Sequence, residues 1–159
     1  MLETYNEYLK INKNINIEWI YNIIDHKAET EDIIYENKDI IIIPNYNWNR
    51  DNNNLHVLGI FKDKRLKSIR DLRNEHIEIL EESIKNGKNI IKDKYNFDIN
   101  NLIIYFHYHP TVWQLHIHFI NKNYISDSYT LPRAQLASTV IENIKIDSEY
   151  YKKVKMELL

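Results

Sequence analysis

The chain has no cysteine, and only two glycines and three prolines among its 159 residues. Without thiols there is no disulfide framework, thiolate zinc site or redox motif, which leaves histidine and carboxylate as the strong metal ligands. The same absence is compatible with a reducing compartment. Scarce glycine and proline, set against heavy use of Asn, Ile, Lys and Tyr, read as the bias of an A+T-rich genome, and Asn52-Asn53-Asn54 reads as plain polar loop. No charge dominates: 21 Lys+Arg face 23 Asp+Glu. That balance argues against a long electrostatic footprint on a nucleic-acid backbone, so a nucleotide ligand should be small. No apolar run approaches the roughly 18–20 residues of a membrane span, and the isoleucine run Ile40 to Ile43 stops at Pro44. The first residues lack the basic and apolar regions of a secretion signal, so we expect an intracellular protein, cytoplasmic or nuclear, with no membrane partner.

What is present fits one folded domain over residues 1–159, with 43% hydrophobic and 28% charged residues. Leu2, Tyr5 and Leu9, then Ile17, Ile20, Tyr21 and Ile24, carry helical spacing and predict two amphipathic helices. Short β-branched runs follow, Asp32 to Glu36, Asp39 to Ile43 and His56 to Phe61, between polar turns, and predict strands. Ile77, Leu80, Ile84, Ile91 and Tyr95 place the longest helix between Ser68 and Tyr95, with Asn74 as N-cap and Gly87 as a weak point or kink. Two β-prone runs, Leu102 to Tyr108 and Val112 to Ile120, read as a hairpin about Pro110. Pro132 to Ile144 reads as a helix and Tyr151 to Leu158 as a last strand. The order of elements gives an α+β fold, an antiparallel sheet packed with helices.

Histidines concentrate in that hairpin. Alternation on a strand gives Gln114, His116 and His118 one face and Leu115, Ile117 and Phe119 the other. Tyr105, His107 and His109 share a face of the preceding strand, with His107 expected near Gln114 or His116, so three or four imidazoles meet in one patch. Three readings stand at this point: core or surface histidines satisfied by backbone, a divalent-metal site, and a nucleophilic imidazole. The metal reading lacks an acidic residue beside the pair to orient or complete it.

Gln114-Leu-His116-Ile-His118-Phe119-Ile120 resembles the histidine-triad (HIT) motif, His-φ-His-φ-His-φ-φ. More narrowly, the chain resembles the catalytic domain of the scavenger mRNA decapping family. Glu3-Thr-Tyr, Trp19 with Asp25-His-Lys27-Ala-Glu29, Tyr35-Glu-Asn37, Ile43-Pro44 before Trp48-Asn49, Ser68-Ile-Arg70-Asp-Leu72 with Glu75-His76, the histidine hairpin, Arg133-Ala134 and Val140-Ile-Glu-Asn143 occur in the family's order.

The resemblance implies hydrolysis of the cap triphosphate bridge, on cap dinucleotide or short capped RNA fragments, with no metal and no cofactor, by a homodimer. It makes His116 the nucleophile and gives His118 and His107 places beside the phosphates. It implies a backbone acceptor at Gln114 for the other nitrogen of His116, although the family has His where Gln114 stands. Thr111 replaces a serine and Val112 a tyrosine. On the base side it implies Trp19 stacked on the methylated guanine and Glu29 on its N1 and N2 edge, with Pro44, Asn45, Tyr46, Asn47 and Arg133 also near the nucleotide. Asn45 and Asn47 replace a charged Asp and Lys, and Tyr46 a leucine. The family's additional N-terminal domain has no counterpart in these residues, which implies a more open site. Two other functions stay in view: a broader dinucleoside polyphosphate hydrolase, and a catalytically silent cap-binding module.

Overall fold

The computed structural model describes residues 1–124 and 133–158. Leu2–Glu3 (β1) leads into the short helix Tyr5–Leu9 (α1), capped by Thr4, whose hydroxyl accepts from Glu7 N at 3.2 Å. Glu18–Ile24 forms α2. Strands Tyr35–Glu36 (β2), Ile40–Pro44 (β3) and His56–Phe61 (β4) precede the long helix Ile77–Tyr95 (α3). Leu102–His107 (β5), His116–Asn121 (β6) and Ala134–Leu136 (β7) complete an antiparallel sheet in the order β2-β3-β4-β6-β5-β7. Ala137–Ile146 (α4), Tyr150–Lys153 (α5) and Met156–Glu157 (β8) follow, and β8 pairs with β1 in a second, two-stranded sheet.

Strand alternation and register decide what each face carries. Ile60 pairs with His116, Leu58 with His118 and His118 with Tyr105, so these residues share one face. The other face, with Ile40, Ile42, Val57, Phe61, Ile117, Phe119 and Phe106, joins Leu80 and Ile91 of α3 and Val140 and Ile144 of α4 in the main core. On the first face, Ile20, Ile23 and Ile24 of α2 pack with Ile41, Ile43, Leu58 and Ile60. Helix α2 thus covers the β3–β4 half of that face, and the histidines occupy the β5–β6 half.

The elements depart from the sequence pattern where side chains override local propensity. The expected helix over Ser68–Tyr95 starts at Ile77, after two 3₁₀ turns. Asn74 lies within the second turn rather than capping α3, whose N-cap position is His76 with no side-chain cap bond; Ser68 Oγ caps the first turn by accepting from Arg70 N at 3.1 Å, and His76 Nδ1 accepts from Arg73 N at 2.9 Å in the second. The strand expected from Asp32 shortens to Tyr35–Glu36 behind a 3₁₀ turn at Thr30–Asp32. The expected tight hairpin is a longer connection over 108–115, since Leu115 gives its N–H to Leu66 O at 2.8 Å and its carbonyl to Phe61 N at 3.1 Å. Residues 134–136 extend the sheet instead of starting a helix, and Pro132 lies outside the described residues. The last expected strand is mostly α5, and only Met156–Glu157 pair.

Helix α3 runs through Gly87 unbroken, and the reason is space. A methyl group there would lie 2.3 Å from Phe119 Cζ, in a core where Phe119 is fully buried. Gly87→Ala should therefore lose about 1–3 kcal/mol to overpacking, outweighing a helix-propensity gain of about 1 kcal/mol. Urea denaturation checks this; a stabilised Gly87→Ala would contradict it, and adding Phe119→Leu should recover part of the loss.

Candidate active site

The β5–β6 half of the first face is a packed group of rings. His118 stacks on Tyr105 with centroids 4.8 Å apart and planes within 8°, His107 lies 4.5 Å from it and His116 5.1 Å. His56, at the start of β4, reaches the same ring, with its Nε2 2.9 Å from His118 Nδ1. Four imidazoles do meet, but the fourth is His56 and not His109. Beyond the end of β5 at His107 the chain turns, and His109 Nε2 bonds instead to Glu3 Oε2. A buried carboxylate needs donors, and Glu3 draws three: His109, the Tyr108 hydroxyl and Arg70 Nη2. Burial alone would raise the Glu3 pKa, yet the bonds from Tyr108, His109 and Arg70 hold it below its ordinary value.

His116 Nδ1 is 2.7 Å from the Gln114 carbonyl. A carbonyl only accepts, so Nδ1 carries the proton and Nε2 a lone pair. Gln114 lies ahead of β6 rather than on it, fully buried, with its Nε2 donating to Phe61 O at 2.7 Å and Asp63 O at 3.0 Å. Those two bonds clamp the residue whose carbonyl orients His116. Around them, Lys67, Pro110, Gln114, His107 and His116 line a small cavity.

Burial holds His116 below its ordinary pKa, against the opposing bond to Gln114 O. Burial first, then the neighbouring imidazoles and Arg133, hold His118 well below its ordinary value. His56 falls to about 4, through burial and then the charges of His107 and His116. Near neutral pH this trio is uncharged.

The substrate-side residues are placed unevenly. Helix α2 turns Ile20, Ile23 and Ile24 inward, leaving Trp19 42% exposed, so Trp19 is no core residue. It lines an open groove with Asn22, Thr111 and Val112, which brings Trp19 and Thr111 together. Glu29 is exposed at a left-handed backbone position, φ 57°, ahead of the 3₁₀ turn. Pro44 is buried at the end of β3, and Tyr46 beyond it is 83% exposed. The Asn45 side-chain amide donates to Asn47 Oδ1, so these two bond each other. Arg133 is exposed, with its carbonyl accepting from Tyr108 N at 2.7 Å.

Sequence reasoning missed His56 and Lys67. The alternation His56, Leu58, Ile60 places His56 on a face, but only the β4–β6 pairing says which histidine it meets. Among the described residues no cluster of His, Asp and Glu is arranged to hold a metal ion, and no helix is long and apolar enough to cross a membrane.

A depressed histidine pKa makes stability depend on pH with a definite sign. Below about 6.5 the unfolded chain takes up a proton that folded His56 refuses until about pH 4. Stability is full above pH 6.5, falls between 6.5 and 4, and loses nothing further from this group below that. The contribution is at most about 3 kcal/mol. His56→Gln should flatten this limb in urea midpoints measured from pH 7 to 4.5; equal slopes for both proteins would show that His56 is not its source.

Comparison with known proteins places this geometry. The family model described as "Scavenger mRNA decapping enzyme C-term binding" matches residues 18–130. The m7GpppX diphosphatase of Ascaris suum is 37% identical over 151 residues, covering 92% of this chain and 50% of its own length. That of Homo sapiens is 32% identical over 160 residues, covering 94% and 48%. The chain thus spans about half the length of these relatives. A histidine triad protein from Clostridium difficile shares the fold, with TM-score 0.56 at 16% identity over 72% of this chain and 97% of that one. A buried imidazole oriented by the carbonyl of the first motif residue, on a sheet of this order and with a match over most of the chain, leads to one assignment: the chain belongs to the scavenger mRNA decapping enzyme family, in its C-terminal region, on a histidine-triad fold.

Proposed function

We propose that the chain is a single catalytic unit that hydrolyses the triphosphate bridge of 7-methylguanosine caps, on cap dinucleotide or short capped RNA, and releases 7-methylguanosine monophosphate. The observation that carries this reading is the 2.7 Å bond from His116 Nδ1–H to the Gln114 carbonyl, which leaves Nε2 as a bare lone pair. That lone pair attacks the phosphorus next to the methylated nucleoside. A P–N bond forms, the P–O bond to the next phosphate breaks, and the second nucleotide leaves as its diphosphate. The imidazole becomes cationic at that step, and the Gln114 carbonyl facing Nδ1–H stabilises it. Water then attacks phosphorus, the P–N bond breaks, and His116 returns to its starting form. His118 and His107 lie beside His116 as donors to phosphate oxygens, and the reaction as written uses no metal or cofactor.

On the base side, exposed Trp19 supplies a face for the cationic ring and Glu29 an acceptor for the guanine edge, with Thr111 in the groove beside Trp19. Tyr46 provides the second face, carried by Pro44, Asn45 and Asn47, and Arg133 a cation near His118. The relatives' name, m7GpppX diphosphatase, supports this substrate class. The same reading takes the protein as an intracellular homodimer. Strand β7 pairs with Tyr105–His107 only, so among the described residues Leu102–Ile104 offer a free edge to a second copy, beside exposed Leu136. One observation favours a second reading, a dinucleoside polyphosphate hydrolase with relaxed base choice: Asn45 and Asn47 bond each other and present no charge to the nucleotide.

His116→Asn removes the attacking nitrogen and should lower turnover of labelled cap dinucleotide by several powers of ten while leaving the fold intact. Activity within about tenfold of wild type would refute the covalent mechanism.

A cation–π contribution at the desolvated end of its range predicts roughly ten- to thirtyfold tighter binding of methylated than unmethylated cap. In competition binding to the His116 variant, Trp19→Ala should shrink that ratio, whereas Glu29→Gln should weaken both ligands. An unchanged ratio in Trp19→Ala would remove Trp19 from the base site, and equal affinities in the parent would favour the relaxed hydrolase.

A further inference from the structure

His118 is the most crowded group in the site. Its ring touches Tyr105, His107, His116 and His56, and its Nε2 is buried without a hydrogen-bond partner among the described residues. Its Nδ1 is 2.9 Å from His56 Nε2. Two neutral imidazoles at that distance share one proton, so one nitrogen donates and the other accepts. If Nδ1 of His118 donated, its Nε2 would be a bare lone pair, and a buried acceptor beside an anionic ligand is repelled by it. If His56 donates, Nδ1 of His118 is the acceptor and the proton sits on Nε2, the atom that has no partner.

We propose that His56 is a positioning residue: its Nε2–H donates to His118 Nδ1 and thereby fixes His118 as the Nε2–H tautomer, turning the orphaned nitrogen into a donor for a phosphate oxygen. This rests on the phosphoryl-transfer reading of the site. His116 and His118 are then set in opposite tautomers by different partners. The Gln114 carbonyl accepts a hydrogen bond from His116 Nδ1–H, which leaves His116 Nε2 bare, while His56 Nε2–H donates a hydrogen bond to His118 Nδ1, which leaves the His118 proton on Nε2. Lone pair and donor stand on adjacent rings 5.1 Å apart, as a nucleophile and a stabiliser of developing phosphate charge require. The lone pair on His116 and the choice of tautomer at His118 both need neutral imidazoles, which the depressed pKa values of His116, His118 and His56 provide near neutral pH. His56 is only partly buried, so its own Nδ1 can face water while Nε2 faces the site.

Ring-¹⁵N-labelled protein tests this directly, because long-range ¹H–¹⁵N spectra separate protonated from bare ring nitrogens. Wild-type His118 should be protonated at Nε2 and bare at Nδ1; the reverse assignment overturns the proposal. His56→Phe keeps a ring but removes the donor. It should move His118 to a mixture of tautomers and lower kcat about 10- to 100-fold, below the 10²–10³ cost of deleting a donor outright, with KM changed less than about threefold. His56→Gln places an amide N–H near the same position and should restore the tautomer and most of kcat. Equal losses in both variants, or a change in KM alone, would mean that His56 only fills space. If no cap hydrolysis is found in any form of the protein, the catalytic reading fails while the spectra still report whether His56 sets the tautomer.

Discussion

Arg70 holds a guanidinium at 0% exposure, and much of the molecule is arranged to accept its hydrogen bonds. Nη1 donates to Tyr151 O at 3.0 Å and Val154 O at 2.7 Å, Nη2 to Glu3 O at 2.7 Å and Glu3 Oε1 at 3.1 Å, and Nε to the Tyr108 hydroxyl at 3.1 Å. A buried charge left without partners costs several kcal/mol, so these acceptors are fixed together. They come from β1, from the region of α5, and from the connection between β5 and β6, three places far apart in sequence. Glu3 then passes the constraint on, binding His109 of the same connection. That connection includes Gln114, whose carbonyl orients His116. The network therefore bears on the geometry of His116 through the backbone and without touching its ring.

Among the described residues, the imidazole cluster itself is built without a carboxylate. Imidazoles close to one another and away from solvent resist protonation, because each proton would cost desolvation and repel its neighbours. The result is a set of neutral rings whose hydrogen bonds, rather than charges, assign donor and acceptor. This suits the polyphosphate ligand proposed for the site, which brings the charge itself. A site preloaded with imidazolium would bind phosphate more tightly but would leave His116 no lone pair. Cationic help stands around the cluster: Lys67 lines the cavity beside His116, and the charge of Arg133 reaches His118.

How much of this was legible in the sequence depended on whether local pattern or distant contact decided the outcome. The β-branched runs at Ile40–Pro44, His56–Phe61 and Leu102–His107 became strands, and the periodic stretch ending at Tyr95 a helix, because burial of one face agrees with local propensity there. His107, His116 and His118 were identifiable because alternation on adjoining strands puts them on one face. Val112–Leu115 read equally well as strand, yet Leu115 bonds to Leu66 and Phe61 and the segment becomes the wall of the site. Ala134–Leu136 read as the start of a helix, but the open edge of β5 captures it. His56 carried no motif, and Gly87 read as a weakness until Phe119 filled its place.

The two halves of the proposed nucleotide site differ in how they are held. On the phosphate side every ring is pinned by a neighbour, and Gln114 by two backbone carbonyls, so its geometry exists before a ligand arrives. On the base side the anchors are buried while the recognition groups are not. Ile20, Ile23 and Ile24 hold α2, and Trp19 projects from it; Asn45 and Trp48 are buried, and Tyr46 between them is exposed. Trp48 fixes this turn through Nε1, which donates to Asp51 O at 2.8 Å, and through its N–H to Asn45 O at 2.9 Å. Neither Trp19 nor Tyr46 belongs to the buried core, whereas the sheet beneath them does. In the proposed site, buried donors face the phosphorus and exposed aromatic faces meet the base. Under the proposed function, that division assigns base preference to the exposed residues Trp19, Glu29 and Tyr46, and bond cleavage to the buried ones.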